Sequence, residues 1–244
     1  MSAAEGHLLF QPMILLNSSP MTFAGVDAPR EIPPAVREGG DGKDTGGTRE
    51  HLARILEAAC LLPMDLIDLH LSLHAPSLAG EGPLVDLLEQ VSRRHAVAPS
   101  RLVIEPRNPP HDSPGFLAVV ERLRSAGVRV ALDLTAGIEG EGLLQIRPDY
   151  FRIGGPFLPH GSSDFFRLAL LDFVCDLAWK FGATVVATGV SRDEELCVLR
   201  SRDVPLAQGP LFGGPLSPRQ LLQPDFLRRF PFPAPSGSGK ASAP

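Results

Sequence analysis

Short apolar runs alternate with longer amphipathic segments through the middle of the chain. The short runs have the composition and period of β-strands, and the longer segments repeat apolar residues every three or four positions, as helices do. Strands are predicted at Leu8–Leu15, Met64–Leu73, Arg101–Glu105, Val128–Asp133, Asp149–Ile153, Ala183–Thr188 and Val204–Gln208. Helices are predicted at Leu84–His95, Gly115–Ala126, Asp164–Phe181, Asp193–Ser201 and Pro218–Leu227. This alternation favours an α/β fold with parallel strands. The number of units indicates a closed barrel more than an open sheet, and periodicity alone leaves closure open.

Two segments fall outside the alternation. Residues 37–47 are rich in glycine and charge and are predicted to form a flexible loop. Residues 231–244 are rich in proline, serine, glycine and alanine, a composition that cannot bury a core, and are predicted to form a disordered tail. The barrel domain is therefore assigned to residues 1–230.

Polar residues alternate with leucines along Ile67–His74, in the second of the predicted strands. Asp68, His70, Ser72 and His74 share one face of this strand. If the leucines face the outer helices, the polar side chains point into the barrel.

Glu105 and Asp133 each end a strand on the inward face. Barrel enzymes keep their catalytic groups at this end of the strands. Two carboxylates there can hold a divalent cation through oxygen ligands. Alternatively, each accepts hydrogen bonds from backbone N–H groups or caps the following helix. The pattern alone leaves both alternatives open.

Composition excludes several classes of protein. The net charge of -5 argues against a DNA-binding protein. The absence of a long apolar run or a leader pattern predicts a cytoplasmic protein without a membrane span. The three cysteines lie far apart, which argues against a disulfide framework or a zinc site and predicts buried thiols.

Motifs along the chain resemble those of the EAL family, the cyclic di-GMP phosphodiesterases, in the family's order. They are Phe10–Met13 (QPI in the family), Gly25–Pro29 (G-x-E-A-L), His70–Ser72 (N-L-S), Leu102–Glu105 (L-x-x-E), Leu123–Asp133 (entering D-D-F-G-T-G), Pro148–Ile153 (P-x-D-x-L-K-I), Val185–Val190 (V-I-A-E-G-V) and Ala207–Leu216 (A-Q-G-Y-L-F-G-R-P-L). The closing block is the most specific. The resemblance implies an α/β fold of the (β/α)8 type, the TIM-like barrel of the EAL family, here with a shortened helical lobe around residues 37–47.

The resemblance also implies a chemistry. Family members bind two magnesium or manganese ions, which activate a water to hydrolyse cyclic di-GMP to linear pGpG. Glu105, Asp133 and Gln208 match metal-ligand positions, and Asp27 matches the motif glutamate with one methylene less. Arg152 stands at the position of the lysine that helps to place the water.

Other positions depart from the family pattern. They are His70 for asparagine, Leu134 and Gly154 for aspartates, and Thr188 and Ser191 for glutamates. Lost carboxylates and the added charge of Arg152 predict at most weak binding of Mg²⁺ or Mn²⁺. We therefore expect no cofactor and no activity from the remnants Asp27, Glu105, Asp133 and Gln208; residual phosphodiesterase activity is the alternative.

Two non-catalytic functions remain open. Gln11, Arg30, Arg152 and Pro215 match positions that contact the nucleotide in the family or lie near it, which suits a bacterial cyclic di-GMP sensor. The large number of changed motif positions instead favours a regulator that acts through contacts with another protein. The resemblance is also compatible with a homodimer.

Overall fold

Eight strands close into one barrel in the computed structural model, which describes residues 8–28, 45–74, 83–107, 113–136, 144–159 and 164–233. The strands are β1 (Gln11–Leu15), β2 (Thr22–Asp27), β3 (Asp68–His74), β4 (Leu102–Arg107), β5 (Arg129–Asp133), β6 (Tyr150–Ile153), β7 (Thr184–Thr188) and β8 (Leu206–Gln208). The helices are α1 (Thr45–Ala59), α2 (Pro83–His95), α3 (Pro114–Ser125), α4 (Phe165–Phe181), α5 (Asp193–Ser201), α6 (Pro218–Leu221) and α7 (Pro224–Arg229). The predicted barrel is confirmed.

Strand β1 runs antiparallel to both of its neighbours, β2 and β8, whereas the remaining pairs are parallel. The link between β1 and β2 spans only Leu16–Met21, and a parallel pair requires a crossover of about a dozen residues or more. A hairpin is therefore the only connection that this length allows.

The barrel has an outer and an inner apolar core. The outer core fills the space between the sheet and the helices and includes Leu69 and Leu71 of β3. The inner core contains Met13, Val103, Ala131, Tyr150, Val186 and Leu206. The predicted faces of β3 are confirmed, because its leucines lie outward while Asp68 and Ser72 contact residues of other strands inside.

Local sequence signals explain why the helices form where they do. Helix α3 begins after Ser113, whose hydroxyl accepts a hydrogen bond from the Phe116 N–H at 3.5 Å, and Pro114 occupies its first turn. Its buried residues repeat every three or four positions: Phe116, Val119, Val120 and Leu123.

Several element boundaries differ from the sequence predictions. Helix α1 begins at Thr45, inside the predicted loop 37–47, and residues 37–44 of that loop lie outside the described ranges. The last predicted helix is divided into α6 and α7, because Pro224 cannot continue a helix. At the start of the predicted tail, the Phe232 ring lies 5.5 Å from that of Phe23; residues 234–244 lie outside the described ranges.

The cysteines are free thiols, and the expectation that all three are buried is wrong: Cys60 and Cys175 are half-buried, and Cys197 is exposed on α5. Within the described ranges, no helix combines the length and the apolar character that crossing a membrane requires.

Candidate functional site

Arg152 of β6 lies inside the barrel with its side chain fully buried. Its Nη2 atom is 2.7 Å from Oδ2 of Asp27, at the end of β2. Its Nε atom is 2.9 Å from Oε2 of Glu105 on β4. One guanidinium therefore pairs with two buried carboxylates that come from two other strands.

The charge of Arg152 is held by these neighbours. Burial by itself would lower the pKa of the guanidinium, but the carboxylates of Asp27 and Glu105 raise the pKa above its usual range. Arg152 consequently remains a cation at any pH at which the protein is folded, and its charge is a permanent part of the barrel interior.

Neutral donors complete the contacts of the same carboxylates. The side-chain amide of Gln208 donates to Oδ2 of Asp27 at 3.1 Å, and the Ser72 hydroxyl donates to Oε1 of Glu105 at 3.1 Å. The structure thus brings together three of the four predicted remnant positions, Asp27, Glu105 and Gln208. The carboxylate oxygens of Asp27 and Glu105 therefore accept hydrogen bonds and form ion pairs with other residues of the protein.

Asp133, the fourth remnant, makes local contacts. Its Oδ1 atom accepts hydrogen bonds from the backbone N–H of Thr135 at 2.9 Å and from the Thr135 hydroxyl at 2.5 Å. This is the backbone-capping alternative for a carboxylate at a strand end. Glu105 instead takes the ion pair with Arg152, which neither alternative included.

Two of the departures from the family pattern fit each other sterically. The Thr188 hydroxyl donates to the carbonyl of Ile153 at 2.9 Å. A Cβ atom placed on Gly154 would lie only 2.4 Å from the Thr188 hydroxyl. A side chain at position 154 therefore requires Thr188 to move, so an aspartate cannot be restored there by itself.

The loop that follows β8, residues 209–216, is named here the closing loop and lies beside β1. The side-chain amide of Gln11 donates to the carbonyl of Gly213 at 2.8 Å, and Pro215 of the same loop is exposed. The structure therefore brings together Gln11 and the Pro215 loop among the predicted nucleotide positions. Arg152 is buried and contacts two carboxylates, and Arg30 lies outside the described residues.

His70 is buried inside the barrel, and its ring packs edge-on against Tyr150 with 5.0 Å between centroids. Neither ring nitrogen has a hydrogen-bond partner within the described residues. Burial, followed by the charge of Arg152, lowers the pKa of His70 to about 3. The imidazole is therefore neutral at physiological pH. The side chain of His74 falls outside what the structure describes.

Acid should destabilise the protein through His70. The pKa is about 6.5 in the unfolded chain and about 3 in the folded chain, so the unfolded state takes up the proton first as pH falls. Stability is therefore lost as pH falls from 6.5 towards 3. Between pH 7.5 and 4.5 we expect His70 to account for about 2–3 kcal/mol of that loss.

Urea unfolding at both pH values, compared with the variant His70→Asn, measures this contribution. The variant should lose about 2–3 kcal/mol less than the wild type over the interval, because asparagine does not titrate. Equal losses in the two proteins would contradict the prediction.

A second polar cluster, which sequence reasoning missed, lies at the opposite end of the barrel. Oδ1 of Asp68 is 2.7 Å from Nη2 of Arg129 and 3.1 Å from Nη1 of Arg101, and the Tyr150 hydroxyl donates to Oδ2 of Asp68 at 3.0 Å. Asp68, Arg129 and Tyr150 are each the first residue of their strand. The available signal was a charged or hydroxyl side chain at the first inward position of three strands. Polar groups at this end of a barrel serve stability.

The described residues contain no group of three or more histidine, cysteine, aspartate or glutamate side chains placed to hold a metal ion. Among the acidic side chains inside the barrel, Asp27 and Glu105 both contact the guanidinium of Arg152.

A family model described as the EAL domain matches residues 48–215. No curated protein matches the chain. Among solved structures, Klebsiella pneumoniae BlrP1 in complex with manganese and cyclic di-GMP has a TM-score of 0.74 and 21% identity, over 89% of this chain and 58% of that one. The EAL enzyme Bd1971 with cAMP and cyclic di-GMP has a TM-score of 0.73 and 19% identity, over 88% of this chain and 63% of that one.

PaMucR phosphodiesterase with cyclic di-GMP has a TM-score of 0.70 and 24% identity, over 88% of this chain and 93% of that one. At these identities the likeness shows the fold. The chain spans about three fifths of the length of the BlrP1 and Bd1971 chains.

Proposed function

The chain belongs to the EAL domain family, and we propose that it acts in bacterial cyclic di-GMP signalling as a non-catalytic regulator. The observation that carries the proposal is the ion pair of Arg152 with Asp27 and Glu105. A divalent cation needs a dense set of oxygen ligands, and here the guanidinium already satisfies two of the carboxylates.

The electrostatics of the site support the same conclusion. A metal ion bound next to Arg152 would bring cations together where little solvent screens them. Hydrolysis by the family's route requires two such ions. The residues of this site do not fit that pair, because Thr188 has no carboxylate and Asp133 bonds to Thr135.

Hydrolysis of cyclic di-GMP tests the proposal against residual phosphodiesterase activity. We expect no pGpG by chromatography after long incubation with excess Mn²⁺, because the cations cannot be held at catalytic spacing. Thermal unfolding of the same sample checks that the protein is folded. Turnover that is lost in Glu105→Ala would overturn the proposal.

Nucleotide sensing is the second candidate, and the geometry of the closing loop favours it. The Gln11 side chain donates a hydrogen bond to the carbonyl of Gly213 in that loop, and Pro215 of the same loop is exposed. These two residues, together with Arg30, are the nucleotide contacts that we propose; Arg152 is buried and acts as the internal counter-ion. Calorimetric titration with cyclic di-GMP in a chelator distinguishes a metal-independent sensor from a regulator that works through protein contacts alone.

A further inference from the structure

Arg107 is the last residue of β4 and lies at the same end of the barrel as Asp27. In the register with β3 it is opposite His74, the last residue of that strand. Side chains alternate across a strand, so Arg107 shares the inward face of Glu105, and its Cα atom lies about 7 Å closer to the mouth of the barrel. Its side chain is half-buried, and its Nε atom is buried. Arg107 therefore stands at the mouth, one layer above the ion pair of Arg152.

The guanidinium of Arg107 has no acceptor among the residues that the structure describes. Its Nε atom makes no hydrogen bond there, and the ion pairs of the described side chains do not include it. Two other inward arginines differ, because Arg152 pairs with two carboxylates and Arg129 pairs with Asp68. A donor held away from water without an acceptor costs free energy, so Arg107 is a candidate contact for a group from outside the chain.

Arg107 also determines the charge that a ligand meets at the mouth. The strand residues at this rim are Gln11, Asp27, His74, Arg107, Asp133, Ile153, Thr188 and Gln208. Among these eight, Arg107 carries the one permanent positive charge. Below the rim, the charge of Arg152 is already paired with Asp27 and Glu105. An anionic group that enters the mouth therefore finds its electrostatic partner in Arg107.

We propose that Arg107 is the anion contact of the barrel mouth and donates to the oxygens of a phosphate group on the bound ligand. The inference rests on the proposed nucleotide sensing, and it adds a residue that lies outside the matched motif Leu102–Glu105. Metal ions would otherwise neutralise phosphate oxygens, so a phosphate bound without them needs another positive charge. A guanidinium suits this role, because its planar donors match phosphate oxygens two at a time.

Calorimetric titration with cyclic di-GMP in EDTA compares the wild type with Arg107→Met. The variant should bind about 10-fold or more weakly, because it loses charge-assisted hydrogen bonds to the phosphate. The affinity of Arg107→Lys should lie between those of the two proteins, since lysine keeps the charge but not the planar donors. The control is Arg94→Met, which should bind as the wild type does, because Arg94 is 69% exposed and pairs with Glu57 outside the barrel.

Thermal unfolding without ligand separates a contact with the ligand from a role in folding. Because Arg107 has no acceptor among the described residues, Arg107→Met should melt at the temperature of the wild type or above it. A melting temperature that is lower by several degrees would assign the side chain to the stability of the barrel and overturn the proposal.

Inorganic pyrophosphate in the same buffer separates the phosphate contact from nucleotide sensing. Pyrophosphate that stabilises the wild type but not Arg107→Met, with no binding of cyclic di-GMP to either, would support the contact and overturn nucleotide sensing. Equal affinity of both proteins for cyclic di-GMP would overturn the contact and leave nucleotide sensing in place. A wild type that responds to neither probe would overturn the proposal.

Discussion

The variant Arg152→Met should lower the free energy of unfolding by about 3–5 kcal/mol, because it leaves two buried carboxylates without their counter-ion. Methionine approximates the length of the arginine stem, so the loss measures the charge more than the packing. Urea unfolding at pH 7.5 measures this difference. A loss below about 1 kcal/mol, which is the ordinary contribution of a surface ion pair, would contradict the prediction.

The same variant should acquire a response to metal that the wild type lacks. Without the guanidinium, Asp27 and Glu105 can share a divalent cation with Gln208, whose amide then presents its oxygen. Millimolar Mn²⁺ should therefore raise the melting temperature of Arg152→Met by several degrees and leave the wild type unchanged. Equal stabilisation of both proteins by Mn²⁺ would mean that the guanidinium does not exclude the cation.

Arg202→Met is the matched control. Arg202 pairs with Asp172 at 2.6 Å on the surface, with both side chains more than a third exposed. Its removal should cost less than about 1 kcal/mol and create no response to Mn²⁺. If Arg152→Met fails to fold, Arg152→Lys keeps the charge but loses the second contact of the planar guanidinium, so it should show a smaller loss in the same direction.

The alternation of strands and helices could be predicted because its signal is local, whereas closure of the barrel was expected from the family resemblance. Strands β3 to β8 and their helices carry the alternations of two and of three to four residues that the inner and outer cores require. Strand β2 and helix α1 escaped prediction for local reasons. Gly25 interrupts the apolar pattern of β2, and Gly46 and Gly47 lie in the first turn of α1.

The site could be predicted in its positions but not in its contacts. Single residues could be matched to the family pattern, and a positive charge at Arg152 was expected to oppose a metal ion. The contact of Arg152 with Asp27 joins residues 125 positions apart on strands that are not neighbours. Such a contact depends on barrel closure and on the length of each side chain, and neither is written in a local pattern. The Asp68 cluster was missed for the same reason.

Asp68→Ala should lower the free energy of unfolding by about 2–4 kcal/mol. Asp68 is the acceptor shared by Arg101, Arg129 and Tyr150, so its removal leaves two guanidinium groups close together without their anion. Burial raises the pKa of the Tyr150 hydroxyl, so that this group remains a proton donor for Asp68. The expected loss is smaller than for Arg152→Met because both arginines are partly exposed, at 33% and 28%, and water screens them.

Urea unfolding of Asp68→Ala, next to the control Asp86→Ala, decides whether this cluster stabilises the barrel. Asp86 pairs with Arg122 at 3.8 Å on the surface, with both side chains at least half exposed, so its removal should cost less than about 0.5 kcal/mol. The loss in Asp68→Asn should lie between those of Asp68→Ala and Asp86→Ala, because asparagine keeps an acceptor for the Tyr150 hydroxyl but not the negative charge. Since Asp68 lies at the end of the barrel away from Arg152, none of these variants should gain the response to Mn²⁺ expected of Arg152→Met. A response to Mn²⁺ in Asp68→Ala would mean that the two polar clusters act as one network through His70 and Tyr150, whose rings are in contact between them.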